Sequence, residues 1–109
     1  MKTFLKLGIA AAMLAFVSAA SAQQQGVTDT EILIGDVVPL SGPPALAGVA
    51  HSIGVRVAVA EVNAAGGILG RKVRLITEDD GYVNTRTVQA VRKLATVDKV
   101  FGITTLELG

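Results

Sequence analysis

The sequence predicts an α/β unit built on a parallel sheet, in the order β-α-β-α-β, and three observations carry that assignment. Short apolar runs of strand length recur at residues 32–38, 72–78 and 100–103, the first nearly continuous, as in a strand buried on both faces. The stretches between them are long enough to be helical crossovers, which parallel neighbours require. Prolines, glycines and acidic turns punctuate each change of pattern, and right-handed crossovers are expected.

Residues 1–22 are set apart from the fold because they have the three parts of a secretory signal peptide. Lys2 and Lys6 supply the positive start, and Leu7 to Val17 form an apolar run. That run is shorter than the roughly 18 residues a spanning helix needs. Ala20-Ser21-Ala22 then offers small residues to a signal peptidase, so cleavage is expected before Gln23. No cysteine follows, which removes lipid attachment.

Cleavage leaves 87 of 109 residues, and losing Lys2 and Lys6 from ten basic residues leaves eight against nine acidic ones. A mature chain near −1 whose aromatics are Tyr82 and Phe101 lacks the basic footprint and stacking surface of a nucleic-acid binder. Zero cysteines exclude a disulfide framework and a thiolate metal site, so the core alone holds a small fold.

Gln23 to Thr28 reads as a loose polar lead-in, and Ile32 to Val38 as the first strand. Val49 to Ala64 is ambiguous: Val55, Val57 and Val59 alternate like a strand, while Val49, Ile53, Val57 and Ala60 recur like a helix face. Its length and the Ala64-Ala65-Gly66-Gly67 stop favour the helix. Lys72 to Glu78 is the second strand, with a charged, edge-like start at 71–74, and Glu78-Asp79-Asp80-Gly81 closes it as a turn. Asn84 is the expected N-cap of a second helix that points Val88, Val91, Leu94 and Ala95 inward and Arg86, Gln89, Arg92 and Lys93 outward. Val100 to Ile103 begins the third strand, and residues 104–109 follow it.

In such a sheet the loops leaving the carboxyl ends of the strands gather on one rim, where ligands bind. Three loops qualify: Pro39 to Gly48, Asp79 to Asn84, and Thr104 to Gly109. The first presents backbone N–H groups and the positive end of a helix dipole to a small anion. Ser41 reads either as a turn or capping serine or as a hydroxyl bonding a ligand carboxylate, and Tyr82 either lines the pocket or packs under its loop. His51 reads as a solvated helix residue. Glu78, Asp79 and Asp80 read as a solvated turn, since the rest of an EF-hand spacing is missing. Residues 66–72 match neither glycine-rich phosphate motif. With no G-x-S-x-G elbow and no set of acid, base and nucleophile, neither catalysis, a metal nor a cofactor is expected.

Several stretches together carry a resemblance: Ile32-Leu33-Ile34-Gly35, Pro39-Leu40-Ser41-Gly42-Pro43, Glu61-Val62-Asn63-Ala64-Ala65-Gly66-Gly67-Ile68, Gly70-Arg71-Lys72, Glu78-Asp79-Asp80-Gly81-Tyr82 and Asp98-Lys99-Val100-Phe101. In order and spacing the chain resembles the start of a type I periplasmic binding protein, nearest the branched-chain amino-acid (Leu/Ile/Val)-binding group of ABC importers. The resemblance implies an exported two-lobed protein that closes on a small solute in the periplasm and delivers it to a membrane permease.

Members of that family are several times longer, so residues 23–109 are expected to form the N-terminal part of the first lobe and to bind little alone. The ligand contacts it implies fall on Ser41, which matches the hydroxyl residue of the first loop, and on Gly42, Ala47, Tyr82, Thr105 and Glu107. Ala47 stands where an aromatic often covers the ligand. The third loop departs from the usual small and hydroxyl residues, and Glu107 reads either as a partner for an ammonium or amide or as an exposed end. A ligand-sensing extracellular module, an amide-responsive regulator, or an exported hydrolase with its nucleophile elsewhere are the competing readings.

Overall fold

Strand β1 (Glu31–Val38) runs through the middle of a three-stranded sheet of order β2-β1-β3, with β2 (Lys72–Asp79) and β3 (Gly102–Thr105) both parallel to it. Helix α1 (Ala45–Ala64) connects β1 to β2, and α2 (Asn84–Thr96) connects β2 to β3. This computed structural model describes residues 23–106; the expected signal segment 1–22 and the candidate contact Glu107 lie outside the described residues. The α/β class and the element order match the sequence expectation. The first helix starts four residues earlier than expected, and the third strand runs two residues further.

The run of β1 is apolar because both its faces are covered. On one face Val37 joins Ala90, Leu94 and Val100 in the core, with Leu33, Ile76 and Ile103 packed around them. Gly35 belongs to this face, and a β-carbon there would lie 2.8 Å from Leu94 Cδ1. The missing side chain is therefore what lets α2 settle onto the strand. Leu94 is fully buried, a burial that contributes about 1.5–3 kcal/mol.

On the other face α1 docks through small residues. Gly48 and Ser52, one turn apart, are its buried positions. A β-carbon on Gly48 would stand 1.8 Å from the Pro39 carbonyl oxygen. The face that recurs in the sequence at Val49, Ile53 and Val57 is exposed, together with Leu46. A helix this apolar is long enough by length and composition to cross a bilayer, and its hydrophobic period does not say which side meets the sheet. Close approach at Gly48 and Ser52 decides it.

Gly66 and Gly67, at φ 106° and 79°, end α1 as expected, and the Gly67 N–H donates back to Val62 O at 2.9 Å. Just before that stop, the Asn63 amide donates to Val73 O and accepts the Val73 N–H, both at 2.8 Å. It thereby satisfies outward-facing backbone groups of β2, the charged edge strand the sequence anticipates.

The lead-in is not loose. Gln25 Nε2 donates to Ala95 O at 3.2 Å and Val100 O at 3.1 Å, and the Leu33 N–H reaches Gly26 O at 2.8 Å. Nor does Asn84 cap α2. Val83 holds the N-cap position without a side-chain cap bond, because the carboxylate serving this turn comes from Asp80.

Candidate functional site

The strand register puts three exits on one border. Val38 pairs with Asp79 and Val37 with Thr105, so all three strands end at the same level. The chain leaving β1 at Pro39 and the chain leaving β2 at Asp80 therefore emerge side by side.

A single carboxylate joins these two loops. Asp79 Oδ1 accepts the Leu40 N–H and the Gly81 N–H, each at 2.8 Å, while the Asp80 N–H donates to Val38 O at 3.2 Å. The Ser41 hydroxyl donates to the Asp79 carboxylate and is the main reason its pKa lies below the ordinary carboxylate range; the two backbone N–H groups and the nearby Arg86 add to this. Asp80 is buried and accepts the Tyr82 N–H at 3.0 Å and the Thr87 hydroxyl at 2.6 Å. The acidic turn is thus a structural knot, which corrects its expectation as a solvated one. Among the described residues no group of three or more His, Asp or Glu could hold a metal ion.

The two loops also approach through their backbones. Gly42 has φ 78° and Gly81 φ 55°, and a β-carbon on Gly42 would lie 3.5 Å from Gly81 O. Tyr82 follows in the left-handed region at φ 60°, an outlying conformation for an aromatic residue, with half its surface open at the rim. Ala47 is exposed in the first turn of α1. That helix starts at Pro44 with no side-chain cap; the Ala45 N–H donates to Gly42 O at 3.2 Å and the Ala47 N–H to Pro44 O at 3.1 Å, which leaves the Leu46 N–H of its first turn for an external acceptor.

The structure therefore brings Ser41, Gly42 and Tyr82 onto adjoining loops, with Ala47 in the helical turn that follows. Thr105 is exposed at the end of β3 and shares the rim, but β1 separates it from the second loop. Sequence reasoning missed Asp79 as the link between loops. The signal available was an acid two residues before a glycine, the pattern of a side chain folding back on its own turn.

Below the first loop, Asp36 on β1 is fully buried, with Oδ1 3.4 Å from His51 Nε2 on α1. Neither carboxylate oxygen has an aligned hydrogen-bond partner among the described residues. Burial raises the Asp36 pKa above its ordinary value, with His51 pulling the other way. His51, 22% exposed, ties the two stems of the loop together and is not the solvated residue the sequence suggested.

The family model for periplasmic binding proteins matches residues 31–106. The chain belongs to the periplasmic binding protein family. Among curated members, Leu/Ile/Val-binding protein homolog 7 of Brucella suis biovar 1 (strain 1330) is 38% identical over 93 residues, covering 85% of this chain. The chain spans 21% of the length of that relative. Leu/Ile/Val-binding protein BraC3 of Rhizobium johnstonii is 42% identical over 64 residues, which are 59% of this chain and 17% of that one.

Solved periplasmic binding proteins share the fold. LivJ of Streptococcus pneumoniae, a branched-chain amino acid transporter substrate-binding protein determined with isoleucine, superposes with a TM-score of 0.66 at 32% identity, covering 68% of this chain and 21% of that one. A fatty acid ABC transporter substrate-binding protein from Thermomonospora curvata gives 0.66 at 30% identity, covering 75% and 21%. The parallel unit described above is thus part of a type I periplasmic binding protein fold.

Proposed function

We propose that the protein is an exported solute-binding component of an ABC importer. It captures an amino acid or related small carboxylate or amide in the periplasm and hands it to a membrane permease, without chemistry of its own. In this reading residues 1–22 are a signal peptide removed before Gln23. The observation that carries the proposal is the shared rim, where the uncapped start of α1 and the 80–83 turn are held together by Asp79.

The roles follow from which groups are already committed. Ser41 gives its proton to Asp79, so its oxygen meets the ligand as an acceptor suited to an ammonium group. A ligand carboxylate goes instead to the N–H groups of Gly42 and Leu46, since Ala45 and Ala47 already donate to backbone carbonyls. Tyr82 covers the ligand from the second loop, Ala47 leaves room where a bulkier side chain would intrude, and Thr105 closes the third side.

One observation favours a second reading, a monocarboxylate without an amine. Among the described rim residues the acids Asp79 and Asp80 are both engaged by protein donors, so no free carboxylate there awaits an ammonium. A thermal-shift screen of the complete gene product against aliphatic amino acids, small amides and aliphatic monocarboxylates separates the two, because a ligand that binds only the folded state raises the melting temperature. Stabilisation by leucine or isoleucine supports the first reading, and stabilisation by monocarboxylates alone supports the second. Turnover of an amide or ester would reject both.

A further inference from the structure

Resting on the export reading above, we propose that the mature amino terminus is chemically closed: Gln23 cyclises to pyroglutamate. Three consecutive glutamines follow the Ala20-Ser21-Ala22 cleavage motif, and they are not equivalent in the fold. The Gln25 amide is committed to Ala95 O and Val100 O, and Gln24 O accepts the Val27 N–H at 3.1 Å. Gln23 is exposed one residue beyond these tethers. Cleavage before Gln23 therefore leaves the anchored Gln25 in place and puts the new α-amine on an exposed glutamine outside the tethered segment.

The reaction needs no partner. The α-amine, with an ordinary pKa of about 7.7–8.0, is partly unprotonated near neutral pH and is a competent nucleophile. Its nitrogen bonds to the Cδ carbonyl carbon of the same residue, the Cδ–Nε2 bond breaks, and the proton lost by the amine leaves with the departing nitrogen as ammonia. A five-membered lactam results, with no change of oxidation state. An unactivated amide is a poor electrophile, and holding both groups in one residue supplies the proximity that makes the step feasible. Gln24 and Gln25 carry peptide nitrogens and do not react this way.

The position gives the change a consequence. Gln23 lines an open groove of about 490 Å³ with Asp98 and Lys99, at the end of the sheet away from the ligand rim. Cyclisation replaces a cation beside Lys99 with a small neutral ring and removes the amine that an aminopeptidase recognises. Solute capture at the opposite border is untouched.

Peptide mapping by mass spectrometry, on the complete protein recovered from the periplasm and held at neutral pH, tests this. The expected amino-terminal peptide begins at Gln23, is lighter than encoded by one ammonia, and resists an amine-reactive label. The Gln23→Ala variant should accept the label and keep the solute-induced thermal shift of the parent. A peptide beginning at Gln23 with a free, labelled amine overturns the cyclisation while leaving export intact. A peptide beginning elsewhere, or a retained leader, overturns the cleavage assignment and the cyclisation with it.

Discussion

Leu40 and Asp79 leave neighbouring strands at the same level, and the Leu40 N–H donates to Asp79 Oδ1 at 2.8 Å. Because Gly81 donates to the same oxygen, one side chain fixes the spacing of the two rim loops. The geometry of the candidate site is therefore set by a residue that need not touch the solute.

Replacing Asp79 with Ala leaves the Leu40 and Gly81 donors without their acceptor. Both loops border solvent, so the cost is expected at the low end of an unmet hydrogen bond, about 1 kcal/mol, and chemical denaturation of parent and variant measures it. Solute affinity should fall more than stability does.

Asp79 also shapes the acid limb of the stability curve. Its folded pKa is depressed, chiefly by the Ser41 hydroxyl, so its contribution is present above the unfolded carboxylate value and is lost as pH falls through the folded one. Ser41→Ala raises that folded value toward the unfolded one and shrinks the contribution. Melting temperatures of parent and variant should therefore converge below that window and separate above it.

Asp36 has the opposite sign. Burial raises its folded pKa, so its contribution is fully present below the unfolded value and is lost as pH rises through the folded one. Asp36→Asn is expected to raise stability at neutral pH, whereas His51→Ala lowers it by leaving the buried carboxylate without its neighbouring imidazole. In the Asp36→Asn background the His51→Ala penalty should shrink, and a double-mutant cycle reads that coupling directly.

Two glycines of α1 are expected to respond in opposite directions to alanine. At Gly48 the new methyl group meets the Pro39 carbonyl oxygen at 1.8 Å and pushes the helix off β1, costing about 1–3 kcal/mol. At Gly54 nothing lies within 4 Å, and alanine should stabilise by about 0.5–1 kcal/mol through helix propensity. Urea denaturation of the two variants side by side checks the docking of α1.

The sheet and α2 were legible as elements because their patterns are one-sided, with Leu94 on the apolar stripe of an otherwise polar helix, but Val88 and Val91, expected inward with it, are exposed and Ala90 is buried in their stead. The docking face of α1 was not, because an almost wholly apolar helix carries no orientation in its period, and contact depends on the small residues Gly48 and Ser52 meeting Pro39. The rim loops were legible as positions, since strand ends and turn residues mark them. Their chemistry was not: Asp79 and Asp80 read as solvated until a neighbouring loop or helix supplies donors such as Leu40 and Thr87. The Asp36–His51 contact likewise depends on a crossover that folds α1 back across β1.

The proposed function makes the border shared by residues 39–48 and 80–83 half of a solute-binding mouth. Amide-resolved NMR of the complete protein, titrated with isoleucine, tests it most directly. The largest shifts are expected on Ser41, Gly42, Leu46, Ala47 and Tyr82. Shifts confined to the other end of the sheet, around Gly26 and Lys99, with the rim amides unmoved, would contradict it.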